Sequence, residues 1–88
     1  MTIDITNKFR VTRGYTTSAG DGDDETVAFF ATRREAIAAA RAEVSTLRIT
    51  NRNGLVITDE VLVEELDQDG EPVDQPIFWV TADREVAS

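Results

Sequence analysis

One stretch restricts the fold more than any other: Thr32 to Arg48, TRREAIAAARAEVSTLR. Thr32 and Glu35 have capping-box spacing, in which the hydroxyl accepts from a backbone N–H and the carboxylate reaches back. Alanine, glutamate and arginine, all strong helix formers, fill the interior. Ile37, Ala40, Val44 and Leu47 recur at three- and four-residue spacing and make one apolar stripe. The rest of the chain reads as strand and turn. The expectation is therefore one helix lying on one sheet.

Before the helix, Ile3, Ile5, Phe9, Val11 and Tyr15 occupy odd positions, with polar residues between them, which predicts a half-buried strand from Ile3 to Thr16. SAGDGDDE, residues 18–25, has two glycines and four acids and reads as a mobile hairpin loop. The returning strand, Thr26 to Ala31, should turn Val27, Phe29 and Ala31 to one face and Phe30 to the other. Asn53-Gly54 supplies the left-handed conformation of a helix stop or tight turn.

Leu55 to Asp67 is rich in β-branched residues and is followed by Asp69-Gly70, a hairpin signal. Its partner is Val73 to Thr81, where Pro76 cannot donate to a ladder and marks an edge or a start at Ile77. A two-residue turn at Asp69-Gly70 sets Val61 opposite Phe78 and Leu62 opposite Ile77. The tail after Thr81 should fray. The expected architecture is α+β, ββαββ: a four-stranded, mainly antiparallel sheet with one helix packed on one face, in a single domain of residues 1–88. Ile37, Ala40, Val44 and Leu47 should pack on Phe9, Val11, Val27, Phe29, Val61, Val63, Phe78 and Val80. Phe30, Leu62, Leu66, Val73, Ile77 and Trp79 are left for the opposite face, interleaved with Glu60 and Glu64.

Composition restricts the chemistry. The chain has no cysteine and no histidine, so thiolate sites, disulfides and the commonest general base are unavailable to it. No glycine-rich phosphate loop or catalytic motif is present, and no catalytic or metal site and no cofactor is expected. Asp21, Asp23 and Glu25 alternate like the first calcium-loop ligands, but Thr26 and Thr32 stand where glycine and glutamate are needed. The first ten residues lack an apolar leader and no run reaches membrane-spanning length, so a cytoplasmic protein is expected.

Charge is unevenly placed. The net charge is −8, yet residues 1–54 carry eight bases against seven acids. Between Leu55 and Val73 lie Asp59, Glu60, Glu64, Glu65, Asp67, Asp69 and Glu71, with no base among them. Such a balance disfavours direct nucleic-acid binding and favours a basic protein or nucleoprotein partner. Same-face strand residues repeat every ~6.6 Å, close to the spacing of phosphates along a nucleic-acid strand. The same acids would also serve solubility and edge protection.

In its small size, its lack of cysteine and its acidic stretch from Asp59 to Asp74, the chain resembles phage-encoded inhibitors, among them anti-CRISPR proteins and DNA mimics. The resemblance implies a non-enzymatic inhibitor that blocks a nucleic-acid-handling complex such as a CRISPR effector. The expected contact residues are Asp59, Glu60, Leu62, Glu64, Leu66, Asp67, Asp69, Ile77 and Trp79. A homodimeric structural or accessory domain, pairing through the uncovered sheet face, is the alternative. The chain would be a monomer in the first case and a homodimer in the second.

Overall fold

The computed structural model describes residues 8–87. The elements are β1 (Phe9–Thr17), β2 (Gly22–Phe30), α1 (Arg33–Ala42), a 3₁₀ turn (Val44–Thr46), β3 (Ile49–Arg52), β4 (Leu55–Glu65), β5 (Phe78–Val80) and β6 (Glu85–Ala87). The protein is α+β, with one helix and an antiparallel sheet of six strands among the described residues, where four strands were expected. The expected strand residues before position 8 lie outside the described part.

β4 is the axis of the sheet. Its sequence, LVITDEVLVEE, is dense in the β-branched residues that suit a pleated, half-buried surface. β1 runs antiparallel beside it from Phe9↔Glu65 to Thr17↔Ile57. Its other edge is shared: β3 pairs with the first half, Arg52↔Leu55 to Ile49↔Thr58, and β5 with the second, Val61↔Val80 to Val63↔Phe78. β2 lies outside β1, and β6 outside β5. The two extra strands are β3 and β6. β3 forms because Asn53 and Gly54, at φ 55° and 87°, make the two-residue turn that needs positive φ at both positions.

α1 begins as the capping box requires. The Glu35 N–H donates to the Thr32 hydroxyl at 3.2 Å, and that hydroxyl donates to the Glu35 carboxylate at 2.9 Å. The helix stops at Ala42, well short of Arg48. Val44, Ser45 and Thr46 are poor helix formers, and the Thr46 hydroxyl donates to the Glu43 carbonyl at 2.8 Å, a local bond that competes with the helix. The inward stripe is consequently Ala36, Ala40 and Leu47, with Ile37 half-buried, while Val44 is exposed. Ala36 and Ala40 meet Val11, Val61, Val63, Phe78 and Val80 in one core.

Two further expectations are corrected, both by turn and bulge chemistry. In the pairing of β1 with β2, Val11 faces Ala28 but Thr12 faces Thr26, so Val27 is an extra residue. A bulge reverses the alternation beyond it. Phe30 therefore packs against the core, and Val27 and Phe29 are exposed rather than buried. Residues 18–25 are not one loop. The loop proper is Ser18 to Gly20, closed by the Thr17 N–H to the Asp21 carbonyl at 2.8 Å, and β2 starts at Gly22.

The β4–β5 connection also differs from a two-residue turn. The Asp67 N–H donates to the Glu71 carbonyl at 2.8 Å, which leaves three loop residues, the last being Gly70 at φ 82°. The return then makes an excursion. Val73 N–H bonds to Glu65 and Ile77 N–H to Val63, so the chain from Val73 to Ile77 spans only the β4 segment from Glu65 to Val63. Pro72 and Pro76 lack the N–H groups a regular ladder there would need. The outcome is Leu62↔Trp79 rather than Leu62↔Ile77. That slip is of two residues, so the faces of Val61, Val63, Phe78 and Val80 stay as expected.

Candidate interaction surface

The helix covers the sheet face that carries Val11, Val61, Val63, Phe78 and Val80. Side chains directly opposite one another share a face, so the register defines what the other face shows. One row crosses five strands there: Thr26, Thr12, Leu62, Trp79 and Val86. A second, shorter row is Phe29, Arg10 and Glu64. Among the described residues no element covers either row.

Trp79 is the centre of this surface. It is half-buried, and its indole N–H donates to Glu60 Oε1 at 3.1 Å. The Arg84 guanidinium lies 5.8 Å from the ring centroid, a cation–π distance. On the neighbouring row both Arg10 Nε and Arg10 Nη2 donate to Glu64 Oε1, at 3.2 and 2.9 Å, with the two side chains 26% and 17% exposed. Phe29 and Val86 stand at either end, each about half exposed. Thr12, between Thr26 and Leu62, is 4% exposed, and its hydroxyl has no hydrogen-bond partner among the described residues.

Of the nine expected contact residues, Glu60, Leu62, Glu64 and Trp79 come together on this face. Leu66 does not join them: it is buried at 7% exposure, where its N–H donates to the Lys8 carbonyl at 2.7 Å. Ile77 packs against the core. Val73, also expected on this face, is exposed in the excursion. Asp59 points to the helix side and its Oδ2 accepts the Arg48 N–H at 3.0 Å. Asp67 organises the three-residue loop, accepting from the N–H groups of Asp69 and Glu71 at 2.8 and 3.0 Å. The expected line of free carboxylates along β4 is thus broken: Asp59, Glu60, Glu64 and Asp67 each hold a donor of this chain. Arg10, Thr12, Phe29, Arg84 and Val86 were missed. Arg10 and Thr12 had a visible signal, the even positions of the first strand; Phe29 was hidden by the bulge.

Acidic residues instead gather at the two ends of a body 54 Å long and about 20 Å across. Asp21, Asp23, Asp24 and Glu25 stand at the β1–β2 end, and Asp67, Asp69 and Glu71 at the β4–β5 loop. Among the described residues no three carboxylates converge as a metal site would require. No helix among them is long and apolar enough to cross a membrane.

At the other side of β5, Arg41 grips Glu85 with two bonds, 2.8 and 3.0 Å, and its guanidinium lies 5.4 Å from the Phe78 ring centroid. The hydrogen bond from Arg41 holds the Glu85 carboxyl below its usual range. A lowered carboxylate pKa adds stability above the ordinary value of about 4.3 and loses it as pH falls through the lowered one. Amide exchange in β6 should therefore accelerate relative to β4 between pH 6 and about pH 3, and Glu85→Gln should abolish that difference. An unchanged β6-to-β4 ratio over that range would show that the pair does not hold β6 in place.

The chain matches no family model, no curated protein and no solved structure. Its function has to be argued from its own surface.

Proposed function

We propose that this chain is a non-catalytic protein-binding domain that docks its bare sheet face on a basic partner. The specific form we propose is an inhibitor that occludes the nucleic-acid site of a complex such as a CRISPR effector. The row from Thr26 through Leu62 and Trp79 to Val86 carries the reading. A sheet face turned only to water is polar at nearly every alternate position, and this one is not. Leu62, Trp79 and Val86, side by side across β4, β5 and β6, make an apolar run with a Trp at its centre, the composition of an interface core. Glu60 and Glu64 flank it, and the net charge of −8 favours a basic counterpart.

The second reading is a homodimer through the same face. It is favoured by the balance of Arg10 and Arg84 against Glu60 and Glu64, which a two-fold pairing can match to itself. Adding the purified chain to a panel of purified CRISPR effector complexes separates the two. Under the first reading it suppresses target-DNA binding by at least one of them, sediments as a monomer alone, and loses inhibition about 30-fold on Trp79→Ala, the size of a hot-spot effect. Sedimentation as a dimer that Trp79→Ala dissociates, with no complex inhibited, replaces the first reading by the second. Because Glu60 and Glu64 hold Trp79 and Arg10, reversing their charge would disturb the face itself, so truncation of Trp79 is the cleaner probe.

A further inference from the structure

β2 is nine residues long and, among the described residues, is paired on one side only, by β1. Among the described residues no strand lies against its outer side. Alternate backbone N–H and C=O groups along that side are open to another strand. Sheets normally blunt such an edge with proline, with a bulge, with charge along it, or by keeping it short. β2 has no proline, its one bulge falls at Val27, and its charge is confined to one half. Asp23, Asp24 and Glu25 occupy the first half, with Asp21 just before it, while Val27 and Phe29 stand exposed in the second.

A second copy of this chain does not fit the whole edge. Paired antiparallel about Thr26, two β2 strands set Asp23 against Phe29 and Glu25 against Val27. Paired about Asp24, they set carboxylate against carboxylate. Paired about Ala28, they join only the last few residues. β2 holds no base, so no register of two β2 strands offers its acids a counter-charge. The fit is to a strand with bases at one end and apolar residues at the other.

We propose that the outer edge of β2 receives an extended segment of a basic protein as an added antiparallel strand. Lysine or arginine would lie beside Asp23, Asp24 and Glu25, and apolar residues beside Val27 and Phe29. Every pairing in the sheet is antiparallel, and the added strand continues that pattern. In that direction its sequence runs apolar first and basic second. The inference stands apart from the docking of the opposite sheet face, because it uses an edge and main-chain bonds.

Two nine-residue peptides of one composition test it with the full chain: Val-Thr-Phe-Thr-Lys-Thr-Lys-Thr-Lys and its reversal. The apolar-first peptide should bind at least about ten-fold more tightly than its reversal, weaken with salt, and slow amide exchange in β2. Asp23→Lys with Glu25→Lys, both exposed, should reduce that binding by about ten-fold or more, while Trp79→Ala leaves it unchanged. Equal affinity for the two peptides, unaltered β2 exchange, or loss of binding on Trp79→Ala alone would overturn the proposal. Trp79→Ala bears on the sheet-face reading and the charge reversal on the edge, so failure of one is distinguishable from failure of the other.

Discussion

Phe78→Ala is expected to leave much of the protein unfolded at room temperature. Phe78 is 1% exposed, lies opposite Val63, and is the largest fully buried side chain. Truncating a buried Phe removes its transfer free energy and leaves a cavity, together about 3–5 kcal/mol. A domain of this length sits towards the lower end of the ~5–15 kcal/mol range. Short β5 has few other contacts with which to close the gap, being three residues long between two partner strands. Denaturant unfolding followed by far-UV circular dichroism reads the loss directly. A midpoint equal to that of the parent protein would mean that the core is not built around this ring.

Gly14→Ala should act at the opposite end of the molecule. Gly14 lies opposite Asp24 in the pairing of β1 with β2. A Cβ there would collide with the Asp23 carbonyl oxygen and come within 2.7 Å of Asp24 Cα. Both are backbone atoms, so no side chain can swing aside; the strands themselves must part. Forced overpacking of this kind costs about 1–3 kcal/mol. The expected signature is local: β2 amides from Gly22 to Glu25 lose protection while those of Val61 and Val63 keep theirs. Uniform loss across the sheet, or none, would contradict the close approach of β1 and β2 at this point.

The elements legible in the sequence were those with a local cause. Thr32 and Glu35 announced the start of α1, and the period of Val61, Val63, Phe78 and Val80 gave the correct core face. What failed depended on events the period cannot record. One unpaired residue, Val27, exchanged Phe29 for Phe30 across the sheet. A three-residue loop ending in Gly70, and the excursion between Val73 and Pro76, moved Trp79 beside Leu62. The shift was even, so Trp79 and Leu62 still reached the bare face. Leu66 and Ile77 lay where the ladder breaks and went elsewhere. Too few apolar residues mark β3 and β6 for either to be read as a strand, and both form by pairing with a neighbour already in place. The carboxylates were visible in the chain; that Glu60, Glu64, Asp59 and Asp67 each hold an internal donor was not, since those donors come from distant positions or from turn geometry.

The seam between β1 and β4 joins Phe9 to Glu65 and has α1 and two other strands within the loop it closes. The β1–β2 and β3–β4 hairpins are local and can form within about 1–10 μs. The seam has to wait for a long closure, which places overall folding in the millisecond-to-second range of proteins dominated by non-local pairs. During that interval the edges destined for each other carry Val11 on one side and Val61 and Val63 on the other, all exposed. A nascent chain is thus most prone to pair wrongly with its neighbours along this line, and refolding yield should fall as protein concentration rises while the stopped-flow folding phase stays slow. A microsecond folding phase, or a yield independent of concentration, would place the seam early instead.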